Sequence, residues 1–139
     1  GLETEVQWQP SAMWTVGGGY AFSPTRVIAP GQPVDGNWAI RAARHMVTSN
    51  VTFDAPRLAS VSVEARHVGA RYDDDLNEVK LDPFWLVGLR VNRAITRGLT
   101  AHLKVENLLD EQFQVARTRS GFPDMGAPRW ITAGIRAAW

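Results

Sequence analysis

The chain contains no cysteine, which removes disulfides, thiolate metal sites and cysteine nucleophiles together and leaves the redox compartment open. It has no apolar run near the roughly 18 consecutive residues of a membrane-spanning helix. The longest good candidate, Phe84 to Leu89, has the length of a strand. A chain of this kind crosses a membrane only as a barrel. Net charge is nearly absent too: at +1, with basic residues scattered, there is no field or aromatic-interleaved basic cluster that argues for nucleic acid. Neither an initiator Met nor a basic-then-apolar leader precedes the first alternating segment, so residues are expected upstream of Gly1. A length of 139 residues with 45% hydrophobic and 21% charged suits a single domain. The class has to come from pattern.

The pattern is clearest in the last eleven residues, R-W-I-T-A-G-I-R-A-A-W, from Arg129 to Trp139. Ile131, Ala133, Ile135, Ala137 and Trp139 share one face of an extended strand, and Trp130, Thr132, Gly134 and Arg136 share the other. Soluble domains usually end in loosely held polar residues. An alternating strand of about ten residues with an aromatic at its end instead suits a bilayer crossing. Of the six tryptophans, Trp8, Trp14, Trp85 and Trp139 lie near the ends of alternating segments, where an interfacial aromatic girdle puts them.

Six further segments alternate in the same way: Leu2 to Trp8, Met13 to Phe22, His45 to Phe53, Leu58 to Gly69, Phe84 to Arg93 and Leu99 to Asp110. The connections between the segments are short at Pro10, Asp54 and Ala94 and long at Ser23, Arg71 and Glu111. Short periplasmic turns and long outer loops are the mark of an outer-membrane barrel. The fold expected is therefore all-β, an antiparallel up-and-down transmembrane β-barrel fragment of about seven strands. Because bacterial single-chain barrels have an even number of strands, the chain reads as a piece of a barrel, or as one that pairs with another chain. A soluble β-sandwich binding domain is the rival reading.

Candidate sites are sparse. Asp73, Asp74, Asp75, Asn77 and Glu78 bring oxygen ligands together, but the glycine and the bidentate glutamate of a calcium loop are missing, which favours a solvated acidic outer loop. His45, His67 and His102 lie on different strands with neither metalloprotease nor triad spacing. No catalytic residue, metal site or cofactor is assigned. The polar faces (Glu64 and Arg66; Arg90 and Asn92; His102, Lys104 and Glu106) alternate in sign and suit a lumen wall.

V-E-N-L-L-D-E-Q-F at Val105 to Phe113 resembles the V-x-N-L-F-D-x-x-Y segment near the end of TonB-dependent outer-membrane receptors. G-A-P-R-W-I-T-A-G-I-R-A-A-W resembles their closing strand, and G-A-R-Y-D-D-D-L-N at Gly69 to Asn77 resembles a loop that recurs earlier in such barrels. Leu109, Phe113 and Trp139 depart from the usual Phe, Tyr and Phe while keeping an apolar or aromatic role. The resemblance implies that residues 1–139 are the C-terminal section of a receptor barrel of about 22 strands, with the plug domain and earlier strands outside the sequence. It also implies the outer membrane of a Gram-negative bacterium, energised uptake of a ferric siderophore, cobalamin or carbohydrate, and no covalent chemistry. The partners implied are outer-membrane lipid, the barrel assembly machinery, the TonB complex reached through the N-terminal parts, and a metal chelate or other small ligand. Arg117 and Arg119 in the last outer loop would attract an anionic chelate. Ile131, Ala133, Ile135, Ala137 and Trp139 would form the signal read by the assembly machinery. A passive porin-like channel and an outer-membrane hydrolase are the alternatives.

Overall fold

A computed structural model of the chain describes residues 1–56, 58–117 and 120–138. The strands, in chain order, are β1 (Leu2–Ser11), β2 (Trp14–Phe22), β3 (His45–Ala55), β4 (Ala59–Val68), β5 (Arg71–Tyr72), β6 (Lys80–Leu81), β7 (Phe84–Thr96), β8 (Leu99–Glu106), β9 (Gln114–Arg117), β10 (Pro123–Met125) and β11 (Trp130–Ala137). Seven of them form one antiparallel sheet in the order β1-β2-β3-β4-β7-β8-β11. Each long strand therefore pairs with the next long strand in sequence, which is the up-and-down arrangement that alternating segments joined by turns dictate. The seven alternating segments of the sequence are these seven strands.

Register puts like with like. Val51 pairs with Val63, Val63 with Leu89, Val61 with Val91, Leu89 with Val105, Val91 with Leu103, and Ala133 with Leu103. Directly opposed residues share a face, so these pairs build one continuous apolar face. The intervening positions build a polar one, through Thr52 and Ser62, Ser62 and Arg90, Arg90 and Lys104. On that polar face Thr52 Oγ1 and Ser62 Oγ lie 2.9 Å apart and Arg90 pairs with Glu64 at 3.5 Å. Opposite charges thus meet across neighbouring strands as their alternation suggested. The polar face lines a groove of about 560 Å³, so the sheet curls toward it. Gly17 of β2 sits opposite Asn50, and a Cβ there would overlap the Asn50 amide. A small residue on one strand makes room for a long one on the next.

The apolar face meets no second layer. Among the described residues the buried hydrophobics are only Val68, Leu81, Phe84, Val105 and Ala116, while Leu2, Val6, Trp8, Trp85, Ile131 and Ile135 stay exposed. A sandwich of this length would bury both inner faces against each other. Instead the seven long strands form one sheet with a bare apolar side, and the other two sheets among the described residues are two-stranded pieces, β5-β6 and β9-β10. Aromatic rings mark both ends of the apolar face. Trp14 packs on Phe53 at the short-turn end, with centroids 4.7 Å apart. At the other end Phe22 packs on His45 at 5.0 Å and His67 on Trp85 at 4.7 Å.

The structure differs from the sequence expectation in three places. Pro10 does not turn the chain: β1 runs on to Ser11 and the reversal falls at Ala12-Met13. β1 is an edge strand of the sheet, where a missing N–H is tolerated, and the register shifts between Trp8 and Ser11. The strand expected over Leu99 to Asp110 ends at Glu106. Finally, the connections after Arg71 and Glu111 are not plain polar loops but contain the hairpins β5-β6 and β9-β10.

Candidate functional site

The three long connections, residues 23–44, 69–83 and 107–129, lie at the same end of the sheet and are tied together through the acidic segment. Asp73 is the hub. Its Oδ1 accepts from Arg41 Nε at 2.6 Å and its Oδ2 accepts from the Arg117 N–H at 2.7 Å, so one carboxylate joins the first connection to the third. The Asp73 side chain is only 7% exposed, whereas that of Arg41 is 54% exposed. The Arg41 N–H donates to the Tyr72 carbonyl at 2.7 Å. These two bonds hold Arg41 at φ 57°, a left-handed conformation that a long side chain rarely adopts.

The rest of the segment works in the same way. Asp74 closes its own turn, accepting from the Glu78 N–H at 3.0 Å and the Val79 N–H at 2.7 Å, as Asp side chains do in turns. Asn77, at φ 60°, clamps Trp38 from both sides of the peptide: Oδ1 accepts from the Trp38 N–H at 2.6 Å and Nδ2 donates to the Trp38 carbonyl at 3.0 Å. Arg71 is buried; its Nη2 donates to the Gln114 carbonyl at 2.7 Å and its guanidinium lies 5.2 Å from the centre of the Phe84 ring. Phe84 in turn stacks on Phe113 at 4.2 Å, and Gly126 leaves the space that the Phe113 ring fills, since a Cβ there would overlap it.

The acidic stretch is therefore more than a solvated loop. Among the described residues no group of three or more His, Cys, Asp or Glu side chains is arranged to hold a metal ion. The carboxylate of Asp73 faces a guanidinium and an N–H donor and that of Asp74 two N–H donors, while Asp75 and Glu78 are exposed. Burial by itself pushes the Asp73 carboxyl up, as does the charge of Asp74; the Arg41 hydrogen bond, the Arg117 N–H and the Arg41 charge outweigh both and hold it below the usual carboxylate range. For Asp74 burial likewise raises and the backbone N–H groups lower, with the same net direction. A depressed carboxyl stabilises the folded state above its unfolded value, about 3.9 for Asp, and that contribution disappears as pH falls through the folded value. The tie between the loops is expected to be indifferent to pH from 5 to 8 and to open only in acid. At pH 7 Asp73→Asn, which removes the charge and one acceptor, should lower the local opening free energy by about 1 to 3 kcal/mol. Amide exchange at Arg117 measures this, and unchanged exchange would mean that the tie holds without the carboxylate.

The N-L-L-D turn has a comparable logic. Asn107, buried and at φ 50°, donates through Nδ2 to the carbonyls of Glu111 at 2.9 Å and Ala127 at 3.1 Å, and accepts the Glu111 N–H at 2.8 Å. Asp110 accepts the Arg129 N–H at 2.9 Å. The two side chains fix the end of β8 and the entry to β11.

Of the residues singled out from the sequence, Arg117 is held by its backbone to Asp73, and its side chain reaches Gln114 Oε1 at 3.4 Å. Arg119 and Trp139 lie outside the described residues. Ile131, Ala133, Ile135 and Ala137 share the apolar face of β11, opposite Val105, Leu103, Ala101 and Leu99. His45 and His67 lie on the apolar face and His102 on the polar face. Arg41, Trp38 and the clamping role of Asn77 escape a reading of the residues alone; the local signal is an Asp-rich turn followed by Asn.

Residues 1–108 match the family described as TonB dependent receptor-like, beta-barrel. The chain is 24% identical over 141 residues to the ferrioxamine receptor of Yersinia enterocolitica, a match covering 97% of this chain and 20% of that protein. The ferric yersiniabactin uptake receptor of Yersinia pestis superposes with a TM-score of 0.85 at 16% identity, over 97% of this chain and 22% of that one. The ferric-catecholate import receptor of E. coli does so with a TM-score of 0.78 at 22% identity, over 97% and 20%. The chain thus spans about a fifth of the length of the relatives it matches. These relatives are receptors of the Gram-negative outer membrane and their names are those of transport proteins, not enzymes. With the sequential seven-stranded sheet and the match over residues 1–108, the chain belongs to the TonB-dependent receptor family, as part of its transmembrane β-barrel.

Proposed function

We propose that the protein containing this chain is an energised outer-membrane importer of a scarce small ligand, a ferric siderophore foremost, and that residues 1–139 are the C-terminal arc of its barrel. The observation that carries this reading is the sheet itself: sequential strands with a bare apolar face and a charged concave face, joined by short turns at one end and braced long loops at the other. The apolar face contacts lipid, the polar face lines the lumen, and the braced end is the outer mouth. No bond of the ligand is made or broken. The energy enters through TonB contacts made by parts outside this chain. Expressed full-length in cells, the receptor should take up at least one ferric siderophore in a manner abolished by loss of TonB. Uptake that persists without TonB would identify a passive channel instead.

Arg117 and Arg119 belong to this reading as contacts for an anionic chelate. So does the closing signal of Ile131, Ala133, Ile135, Ala137 and Trp139: the first four present a regular apolar face on an edge strand, a template for β-augmentation by the assembly machinery. Deleting Trp139 from the full-length protein should lower the amount inserted while leaving the affinity of the inserted fraction nearly unchanged, because the short-turn end is far from the mouth. Cell fractionation combined with a binding assay separates the two effects. Normal insertion after the deletion would refute the assignment.

A further inference from the structure

One position on the apolar face breaks the pattern of the rest. Along β7, Trp85, Val87, Leu89 and Val91 share that face, and the next residue of the same parity is Arg93. It pairs with Ala101 of β8, which pairs with Ile135 of β11, so register puts the arginine among apolar neighbours. Among the described residues every other Lys, Arg, Asp and Glu paired in the seven-stranded sheet falls on the polar parity.

A cation on a lipid face costs most at the bilayer midplane and little near the interface, and Arg93 stands near the interface. It follows Leu89 by four residues, which at roughly 3.3 Å per residue and a tilt of about 40° is about 10 Å along the membrane normal. An apolar band about 25 Å tall ends close to that level. The adjoining row toward the midplane carries Trp14 packed on Phe53, the aromatic end of the face. The row of Arg93 itself is built of small side chains, with Ala55 opposite Ala59 on one side and Ala101 on the other. Short neighbours let a long apolar stem lie along the sheet while its charged head reaches out of the hydrocarbon.

No carboxylate answers this charge. Arg93 is exposed and makes no ion pair among the described residues. Strands outside this chain are too distant to supply one: β7 is followed in the sheet by β8 and β11, and preceded by β4, β3, β2 and β1, so the nearest added strand is three spacings away, about 14 Å. The counter-charge has to come from outside the barrel.

We propose that Arg93 is a phospholipid site, its guanidinium holding the phosphodiester of a lipid in the leaflet at the short-turn end, with the alanine row beneath as the seat for the upper part of an acyl chain. The planar fork of a guanidinium matches two phosphate oxygens. The proposal rests on the reading of the apolar face as lipid-facing and adds to it one fixed headgroup contact.

The test uses a cysteine-free full-length receptor carrying Ile95→Cys, two residues from Arg93, labelled with a fluorophore and placed in lipid vesicles. Brominated phosphatidylglycerol and brominated galactosyl diacylglycerol, which has no phosphate, are added in turn as quenching probes. The phospholipid should be preferred at this label by about fivefold, the scale of one basic residue at an anionic lipid surface. Arg93→Gln should erase the preference, and Arg93→Lys should keep part of it. Arg136→Gln removes the same charge at the same end but on the polar face, opposite Thr100, and should leave the preference intact. The proposal is overturned by equal quenching from both probes in the unsubstituted receptor, or by a preference that survives Arg93→Gln. A label shielded from both probes until Arg93 is replaced would also overturn it, by assigning the arginine to contact with another protein. A label reached only by an aqueous quencher would refute the lipid-facing reading itself. A preserved lipid preference without TonB-dependent uptake would refute the importer and leave the site standing.

Discussion

Replacing Leu89 by arginine in the full-length receptor should lower its stability by about 2 to 4 kcal/mol, the penalty for a cation at the lipid face near the bilayer midplane. Leu89 sits in the middle of β7, opposite Val63 on one side and Val105 on the other, so the arginine would stand among aliphatic side chains with no acceptor at hand. Leu103→Arg, opposite Val91 and Ala133, should behave alike. Ser62→Arg serves as the control: Ser62 lines the polar groove beside Thr52 and Arg90, where a long cation remains in water. Reversible unfolding in lipid, monitored against denaturant, gives the differences. Equal tolerance of arginine on both faces would sink the assignment of lipid and lumen.

The second large effect concerns the 139 residues alone. Produced without the remainder of the barrel, they should aggregate in plain buffer or stay in solution only with detergent. Strands β1 and β11 are the two edges of the sheet, each with a row of unpaired backbone groups that invites pairing with another copy. The apolar face adds a contiguous patch, with Val6, Trp8, Ile131 and Ile135 all more than half exposed and far more than a soluble monomer tolerates. Sedimentation and thermal melting decide the matter. A monodisperse monomer that melts cooperatively in buffer would contradict a barrel arc and revive the soluble sandwich.

Much of this architecture is legible in the residues because a strand's period of two survives in a single sequence. Val61, Val63 and Ala65 against Ser62 and Glu64 announce both the strand and its faces, and the same parity in Phe84 to Arg93 fixes how the two strands pair. Turn chemistry was a poorer guide. Pro10 looks like a turn residue but lies in an edge strand, where the absent N–H does no harm. The hairpins β5-β6 and β9-β10 left no trace, since strands of two to four residues carry no period. Least legible was the brace. Asp73 meets Arg41 and Arg117 at separations of 32 and 44 residues, and no local pattern records a partner that far away. Three consecutive aspartates suggest a cation or plain solvation; folding instead turned one toward a guanidinium and one into its own turn.

Single cysteines placed along Leu86 to Asn92 of β7 would show whether this sheet is an arc of a membrane barrel, with lipid on one side and water on the other. The chain has no cysteine of its own, so each label on a cysteine-free full-length receptor reports one position. With nitroxide labels in lipid vesicles, positions 87, 89 and 91 should be open to collision with oxygen, which concentrates in the bilayer. Positions 86, 88, 90 and 92 should be open to a water-soluble nickel chelate, in strict alternation. Labels that respond alike to both reagents along the strand, or that alternate with the opposite parity, would contradict the account.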